Sequence, residues 1–128
     1  MKHLSAANIT DLRTRNIDIY ATIIIAVVIG MATLTPVEEL PALSGSDKLY
    51  HFISFAILTL PIAVIRPKAG RVMFILSVGY GGAIEVLQPL VNRNCELTDF
   101  LADVGGVALG MAMSKAFVRL LQTNTVQQ

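Results

Sequence analysis

The chain has 128 residues, of which 54% are hydrophobic and 15% are charged, and its mean hydropathy is +0.64. A soluble domain of this size would expose more apolar surface than water tolerates, so the composition predicts an integral membrane protein whose main partner is the lipid bilayer. The formal net charge of +1 gives no support to a nucleic-acid partner, and the single cysteine, Cys95, excludes an internal disulfide framework.

Four mainly apolar segments follow one another along the chain, each near the length of about 20 residues that a helix needs to cross a bilayer. They cover residues 19–35, 48–65, 71–91 and 99–121. Pro36 ends the first segment, Pro61 is a kink that a membrane helix can absorb, and Pro89 loosens the last turn of the third. We predict an all-α four-transmembrane-helix bundle, divided into a polar N-terminal arm at 1–16, a transmembrane domain at 17–121 and a short C-terminal tail at 122–128.

A cleaved signal peptide is the rival interpretation of the first segment, because Lys2, Arg13 and Arg15 precede it. Its apolar stretch is longer than the core of a typical signal peptide, however, and no small-x-small cleavage site follows it. We therefore expect an uncleaved anchor, preceded by a polar, partly helical arm on the membrane surface.

Basic residues are unevenly distributed around these segments. Eight of the ten Lys and Arg residues lie before the first segment, between the second and third, or at the end of the fourth: Lys2, Arg13, Arg15, Arg66, Lys68, Arg71, Lys115 and Arg119. Only Lys48 and Arg93 fall on the other side. Because cytoplasmic loops carry the excess of Lys and Arg, both termini are predicted to be cytoplasmic.

Acidic residues show the opposite bias. Seven of the nine lie in the two outer loops or in the outer halves of the helices: Glu38, Glu39, Asp47, Glu85, Glu96, Asp99 and Asp103. Only Asp11 and Asp18 lie on the inner side. The outer side therefore carries a net negative charge, which favours a cationic group or a metal ion.

Several polar residues lie within the predicted helices, where an ionisable side chain is costly and marks a candidate functional site. Helical spacing places them in one row on each of the last three helices: Asp47, Lys48 and His51; Glu85 and Gln88; Asp99 and Asp103. Because the rows lie at matching depth, we expect them to form one polar cluster. Arg93 or Lys48 could pair with its carboxylates.

The fourth helix also carries a face of small residues. Gly106 and Gly110 form a GxxxG motif, which lets a neighbouring backbone approach closely. Asp99 and Asp103 lie on the same edge of the helix as these glycines. We expect the glycine-rich third helix to pack there and to be held against the two aspartates.

These residues together resemble a known family. The pattern D-K-x-x-H-F-x-x-F starts at Asp47, E-x-x-Q starts at Glu85, Arg93 follows, and D-x-x-x-D-x-x-G starts at Asp99. The order is similar to that of the VanZ-like family of bacterial membrane proteins. Asp103 departs from the family pattern, which more often has Asn there, so a second charge stands where an amide is usual.

The resemblance covers residues 20–121 and implies a multi-pass protein of the bacterial cell (inner) membrane. The family's namesake is associated with lowered susceptibility to the glycopeptide antibiotic teicoplanin. The resemblance therefore implies a role in the cell envelope, with a glycopeptide antibiotic, a cell-wall precursor or an envelope protein as the possible partner. It does not imply a reaction.

Three interpretations of the polar cluster are open. It could be a structural knot of paired buried charges, a ligand-binding or catalytic site, or a metal site built on His51 and the carboxylates. No HExxH or comparable pair of ligands on one helix sets a metal geometry, so neither a metal nor a cofactor is predicted.

Three classes of function are compatible with this pattern. The first is a non-enzymatic envelope factor that binds its ligand through the outer face. The second is an enzyme acting on the headgroup of a lipid-linked envelope substrate, with Glu85 or Asp99 as acid or base and His51 as proton carrier. The third, a channel or transporter, is disfavoured because the polar residues are confined to the outer half. We favour the first class because the sequence shows no arrangement of a nucleophile, a base and a third residue that orients the base.

Overall fold

A computed structural model describes residues 6–36 and 47–126, and the regular structure within those ranges is helical throughout. The α-helices are α1 Ala6–Thr14, α2 Ile17–Thr33, α3 Asp47–Ile65, α4 Gly70–Leu87 and α5 Leu97–Val126. Two short 3-10 segments, Pro67–Ala69 and Gln88–Val91, precede and follow α4. The predictions made for Lys2, Glu38 and Glu39 fall outside the described residues.

Three stretches are long and apolar enough to cross a membrane: Asp47–Ile65, Pro67–Val91 and Leu97–Thr123. The first two helices pass the same test only as a pair, and they are bent by 64° at the break between them. The predicted all-α membrane class is therefore confirmed, with three candidate spans, or four if the bent pair counts as one. The fourth crossing and the cytoplasmic position of the termini stay predictions.

The break between α1 and α2 lies at Asn16, whose φ of 53° and ψ of 26° are left-handed. Asparagine tolerates this conformation better than most residues, because its short polar side chain can bond locally. The 17 residues of α2 extend about 26 Å at 1.5 Å per residue, slightly less than the hydrocarbon thickness of about 30 Å. Because of the break, α2 alone is shorter than each of the three candidate spans.

The helix ends differ from the predicted ones by a few residues. α4 passes into a 3-10 segment that contains Pro89, which agrees with the predicted loosening of its last turn. α5 continues to Val126, past the predicted end at residue 121, because no Gly or Pro interrupts it there. The tail predicted to start at residue 122 therefore begins as a continuation of α5.

The glycine pair of α5 packs against α3. A Cβ built on Gly106 would lie 2.1 Å from the carbonyl oxygen of Phe52, and one built on Gly110 would lie 2.4 Å from that of Ala56. The expectation that α4 occupies this face is therefore wrong. α4 meets α5 beside it instead, where Gly81 lies against Asp103 and Gly82 against Phe100.

The interior of the bundle is a small apolar core centred on α3. Phe55, Leu58, Ile84 and Val107 are almost fully buried there. Large apolar side chains also cover the outside of the helices, for example Ile75, which is 68% exposed. Hydrocarbon is a suitable surrounding for such an apolar exterior, whereas water is not.

Candidate functional site

Three helix termini meet at one end of the bundle: the start of α3, the end of α4 with its 3-10 extension, and the start of α5. We call this the Asp47 end. Five predicted site residues are buried here, none more than 4% exposed: His51, Glu85, Gln88, Asp99 and Asp103. Helical spacing along α3, α4 and α5 brings them to the same depth.

His51 and Asp103 form the innermost contact. The Nδ1 atom of His51 lies 2.9 Å from Oδ1 of Asp103, a hydrogen-bond distance. Asp103 has room for this contact because Gly81 of α4 lacks a side chain, and a Cβ there would lie 2.7 Å from Asp103 Oδ2. The glycine is therefore part of the site, because a side chain at this position would displace the Asp103 carboxylate.

Glu85 lies beside this pair and faces it with one oxygen. Its Oε1 atom is 4.0 Å from His51 Nδ1. Its Oε2 atom accepts a hydrogen bond of 3.0 Å from the backbone N–H of Glu96. Oriented with its amide nitrogen towards acceptors, Gln88 donates to Glu85 Oε2 at 3.2 Å and to the Asn94 carbonyl at 3.1 Å. One carboxylate oxygen is thus held by the loop before α5, and the other is directed at the imidazole.

Three ion pairs lie nearer the end of the bundle, and Asp99 is the one buried carboxylate among them. Lys48 contacts Glu96 at 2.9 Å and Asp99 at 3.4 Å. Arg93 contacts Asp47 at 3.1 Å. The two basic residues of the predicted cluster therefore pair with Asp47, Glu96 and Asp99, and neither forms a described ion pair with Glu85 or Asp103.

The contact with Lys48 also affects Glu96, which lies outside the candidate spans. The hydrogen bond from the Lys48 ammonium, followed by its charge, lowers the pKa of Glu96. The pair therefore persists in moderately acid solution and is lost as the pH falls through this lowered pKa. Because both side chains are about half exposed, the pair contributes little to stability.

Several buried polar atoms in the cluster have no hydrogen-bond partner among the described residues. They are Nε2 of His51, Oε1 of Glu85, Oδ2 of Asp103 and Oδ1 of Asp99, the last of which has Lys48 nearby. Most buried polar side-chain atoms in folded proteins are paired, because leaving one unpaired costs free energy. The arrangement therefore retains bonding capacity that the protein itself does not use.

The same side chains have the composition of a metal-binding site. One ligand atom from each of His51, Glu85 and Asp103 lies within 4.8 Å of the others, and all three residues are buried. His51 also belongs to a second such group with Asp47 and Asp99, of which Asp47 is exposed. Imidazole nitrogen with carboxylate oxygens suits divalent transition metals.

A second buried charge, at the opposite end of the bundle, was missed by sequence reasoning. Asp18 is fully buried at the start of α2, and Arg66 donates to it through Nε at 2.5 Å and Nη2 at 3.2 Å. Arg66 also donates to the Asn16 side chain at 2.7 Å and to the carbonyl of Arg13 at 2.9 Å. In the sequence, Arg66 stands out only as one of the basic residues that indicate topology. An acid at the start of one apolar segment and a base at the end of the next were the available clue.

Comparison with known proteins adds one finding. A family model described as VanZ/LLP1 matches residues 5–119, most of the chain. No curated protein and no solved structure matched the chain.

Proposed function

This chain belongs to the VanZ/LLP1 family, and from that premise we propose that it is a bacterial cell-envelope protein whose polar cluster at the Asp47 end binds an envelope ligand. The ligand classes are a glycopeptide antibiotic, a cell-wall precursor or another envelope protein. In this proposal the cluster binds without catalysing a reaction. Binding then alters the susceptibility of the cell to teicoplanin.

The proposed orientation places the Asp47 end outside the inner membrane and both termini in the cytoplasm. The opposite end, which we call the Arg66 end, is formed by the start of α2, the end of α3, the start of α4 and the C-terminal half of α5. Its basic residues in the described ranges are Arg13, Arg15, Arg66, Lys68, Arg71, Lys115 and Arg119. This excess supports a cytoplasmic Arg66 end under the positive-inside rule. The cluster then faces the compartment where the cell wall is assembled.

The observation that carries the proposal is the set of buried, unpartnered atoms on His51, Glu85 and Asp103. A polar network that served only to hold the helices together gains most when every member is satisfied. Here the interior contains acceptors and a ring nitrogen that have no partner among the described residues, beneath ion pairs that are partly exposed. Such preformed, unsatisfied groups favour a binding site over a structural knot.

A second candidate function is the enzyme acting on the headgroup of a lipid-linked substrate. The specific observation in its favour is that Asp103 binds Nδ1 of His51 and leaves Nε2 without a partner. A carboxylate that orients an imidazole in this way is a common arrangement in general acid-base catalysis. Turnover of a lipid-linked precursor by purified wild-type protein, lost in His51→Gln, would favour this candidate over simple binding.

Growth under teicoplanin tests the first proposal. We compare a strain that carries the wild-type chain with strains that carry Glu85→Gln or Asp99→Asn. The matched control is Asp11→Asn, which neutralises an exposed carboxylate on α1. With equal amounts of protein in the membrane, the two cluster variants should lose the wild-type effect on susceptibility and the control should keep it. An unchanged effect in both cluster variants would remove the cluster from the function.

A further inference from the structure

The innermost group of the cluster has an imbalance of charge. Glu85 and Asp103 are both buried and face a single imidazole, that of His51. Lys48 and Arg93 are engaged with other carboxylates. Two ionised carboxylates would keep a net negative charge even against a protonated imidazole, and an uncompensated charge is costly in a low-dielectric interior. A bound cation would compensate it.

The distances are close to those around a small cation with nitrogen and oxygen ligands. In tetrahedral geometry, two atoms bound at about 2.0–2.2 Å to one ion lie about 3.3–3.6 Å apart. The Nδ1 atom of His51 is 2.9 Å from Asp103 Oδ1 and 4.0 Å from Glu85 Oε1. One distance is shorter than in a tetrahedral site and the other is longer, so metal binding requires small movements of the Asp103 and Glu85 side chains. Glu85 Oε1 has no other partner, and it already points at the imidazole.

The surrounding contacts support the same arrangement. Outer hydrogen bonds normally orient the ligands of a metal site. Gln88 and the backbone N–H of Glu96 hold the far oxygen of Glu85, which leaves the near oxygen directed inward. Gly81 provides the space in which Asp103 approaches. Three protein ligands also leave a coordination position open for an external ligand, as in many catalytic zinc sites.

We propose that His51, Glu85 and Asp103 bind one divalent transition-metal ion of the Zn²⁺ class, whose open position receives the envelope ligand. This inference rests on the proposed function, since it treats the cluster as a binding site. Mg²⁺ and Ca²⁺ fit less well because they prefer all-oxygen surroundings. Asp47 and Asp99 form the second group with His51, but their charges are paired with those of Arg93 and Lys48.

Calorimetric titration of Zn²⁺ into tag-free, chelator-treated protein in detergent tests the metal site. Wild type should bind one Zn²⁺ per chain, and His51→Gln or Glu85→Gln should weaken binding by about 100-fold or more, since outer partners alone account for about 10–100-fold. The matched control is His3→Gln, which removes the chain's other histidine. Absence of binding by wild type, or loss of binding only in the control, would overturn the proposal.

A second measurement covers the case in which a cluster variant does not fold. X-ray absorption at the zinc edge of the wild-type protein should show one imidazole with oxygen ligands. Ligation by the sulfur of Cys95, or a shell without imidazole, would overturn the site.

If Zn²⁺ binding is lost in the variants while the teicoplanin response persists, the metal site stands and the proposed function fails. If the response is lost but wild type binds no metal, the metal site fails and the proposed function stands.

A different surface, at the Arg66 end, has the chemistry of a lipid site. A groove of about 790 Å³ lies between α4 and α5. Its lining includes the apolar side chains of Phe74 and Met111 and the basic side chains of Lys68, Arg71 and Lys115. The volume is within the range of about 300–1,000 Å³ found for small-molecule sites. None of the three cations has an ion pair among the residues that the structure describes.

We infer that this groove binds the headgroup of an anionic phospholipid, with an acyl chain along its apolar part. Basic grooves between membrane helices attract lipid phosphates, because the cations lie at headgroup depth beside apolar walls. Arg71 lies near the start of the candidate span Pro67–Val91, and α5 contributes Lys115 to the same groove. This inference is independent of the cluster at the Asp47 end.

Native mass spectrometry with phosphatidylglycerol and phosphatidylcholine of equal chain length tests this site. Wild type should retain phosphatidylglycerol preferentially, and the double variant Arg71→Gln, Lys115→Gln should lose about 10-fold of that preference. Arg15→Gln, an exposed basic position outside the groove, is the control. Lys115→Arg should retain the lipid, which separates loss of charge from loss of fold. Equal retention of the two lipids by wild type, or an unchanged preference in the double variant, would contradict the inference.

Discussion

Among single residues, the buried carboxylates of Asp18, Glu85 and Asp103 are of two kinds, those whose charge is compensated by a basic side chain and those with an oxygen that has no described partner. Asp18 is buried and receives two hydrogen bonds from Arg66, so its charge is compensated. Glu85 and Asp103 are buried, and each has one oxygen with no partner in the part of the chain that the structure describes. The first pair has the properties of a structural contact. The second group has carboxylate oxygens that can bind a group which the chain does not itself supply.

Removal of the Asp18 carboxylate should therefore destabilise the fold. Asp18→Ala leaves the Arg66 guanidinium without its main partner, and breaking a buried pair from one side costs about 3–5 kcal/mol. Because the Arg66 side chain is 23% exposed, we expect a smaller loss, about 2 kcal/mol, in the free energy of unfolding in detergent. Asp11→Ala is the control and should change little. Equal stability of Asp18→Ala and wild type would show that the pair is not structural.

The two glycines at 79 and 81 of α4 provide a matched test of the space beside Asp103. A Cβ on Gly81 would lie 2.7 Å from Asp103 Oδ2 and 3.2 Å from a ring carbon of Phe55, whereas one on Gly79 would meet nothing within 4 Å. Gly81→Ala should cost about 1–3 kcal/mol and weaken Zn²⁺ binding, because Asp103 must move. Gly79→Ala should be neutral or stabilise by up to about 1 kcal/mol. Thermal unfolding and calorimetry of both variants check this, and identical behaviour would contradict the geometry.

At the scale of helices, the decisive contact is that between α3 and α5. Gly106 and Gly110 let the two backbones approach, and His51 and Asp103 meet one or two turns away on the same pair of helices. Close packing thus determines the distance across which the imidazole and the carboxylate face each other. The packing motif and the polar cluster are parts of one interface.

Gly106→Ala should disrupt this interface. Its Cβ would lie 2.1 Å from a backbone oxygen of α3, and backbone cannot move aside as a side chain can. We expect a loss of about 3 kcal/mol or failure to accumulate in the membrane. Gly105→Ala is the neighbouring control, because its Cβ would meet only the Phe52 ring, at 3.2 Å. A melting temperature of Gly106→Ala equal to that of Gly105→Ala would contradict the close approach.

The sequence predicted the small-residue face but not the helix that covers it. GxxxG shows only that some backbone can approach, and both candidate helices are apolar. What favoured α4 in the sequence was its glycine content, yet Gly81 gives space to the Asp103 side chain and Gly79 faces open space. The polar rows were predictable, because spacing along a helix determines which residues share a face. Which carboxylate oxygens are paired depends on the loop before α5. The backbone position of that loop does not follow from any periodicity in the sequence.

For the whole molecule, composition predicts the class of protein, an all-helical membrane protein, but it does not predict the number of membrane-spanning helices. Apolar segments predict helices in a membrane, and the described ranges contain three such spans or four. The bend after α1 depends on one left-handed residue, Asn16, which hydropathy does not reveal. The side of the membrane occupied by each end follows from charge bias, a statistical rule about insertion, and needs its own measurement.

Cys95 provides that measurement. It is the only cysteine of the chain and is exposed in the loop before α5, at the Asp47 end. An impermeant thiol reagent applied to intact cells should label it from outside. In a Cys95→Ser background, Lys68→Cys should be labelled only after the membrane is opened. The reverse pattern would place the Asp47 end in the cytoplasm.

Whether the buried cluster is a binding site is decided by the separate responses of stability and function in Glu85→Gln. Melting temperature in detergent and growth under teicoplanin are measured together for this variant, wild type and Asp11→Asn. A binding site holds its carboxylates close together at the expense of stability, so neutralising Glu85 should leave the melting temperature equal or higher while the effect on susceptibility disappears. A melting temperature that falls in parallel with that effect would contradict the claim and return the cluster to a structural role.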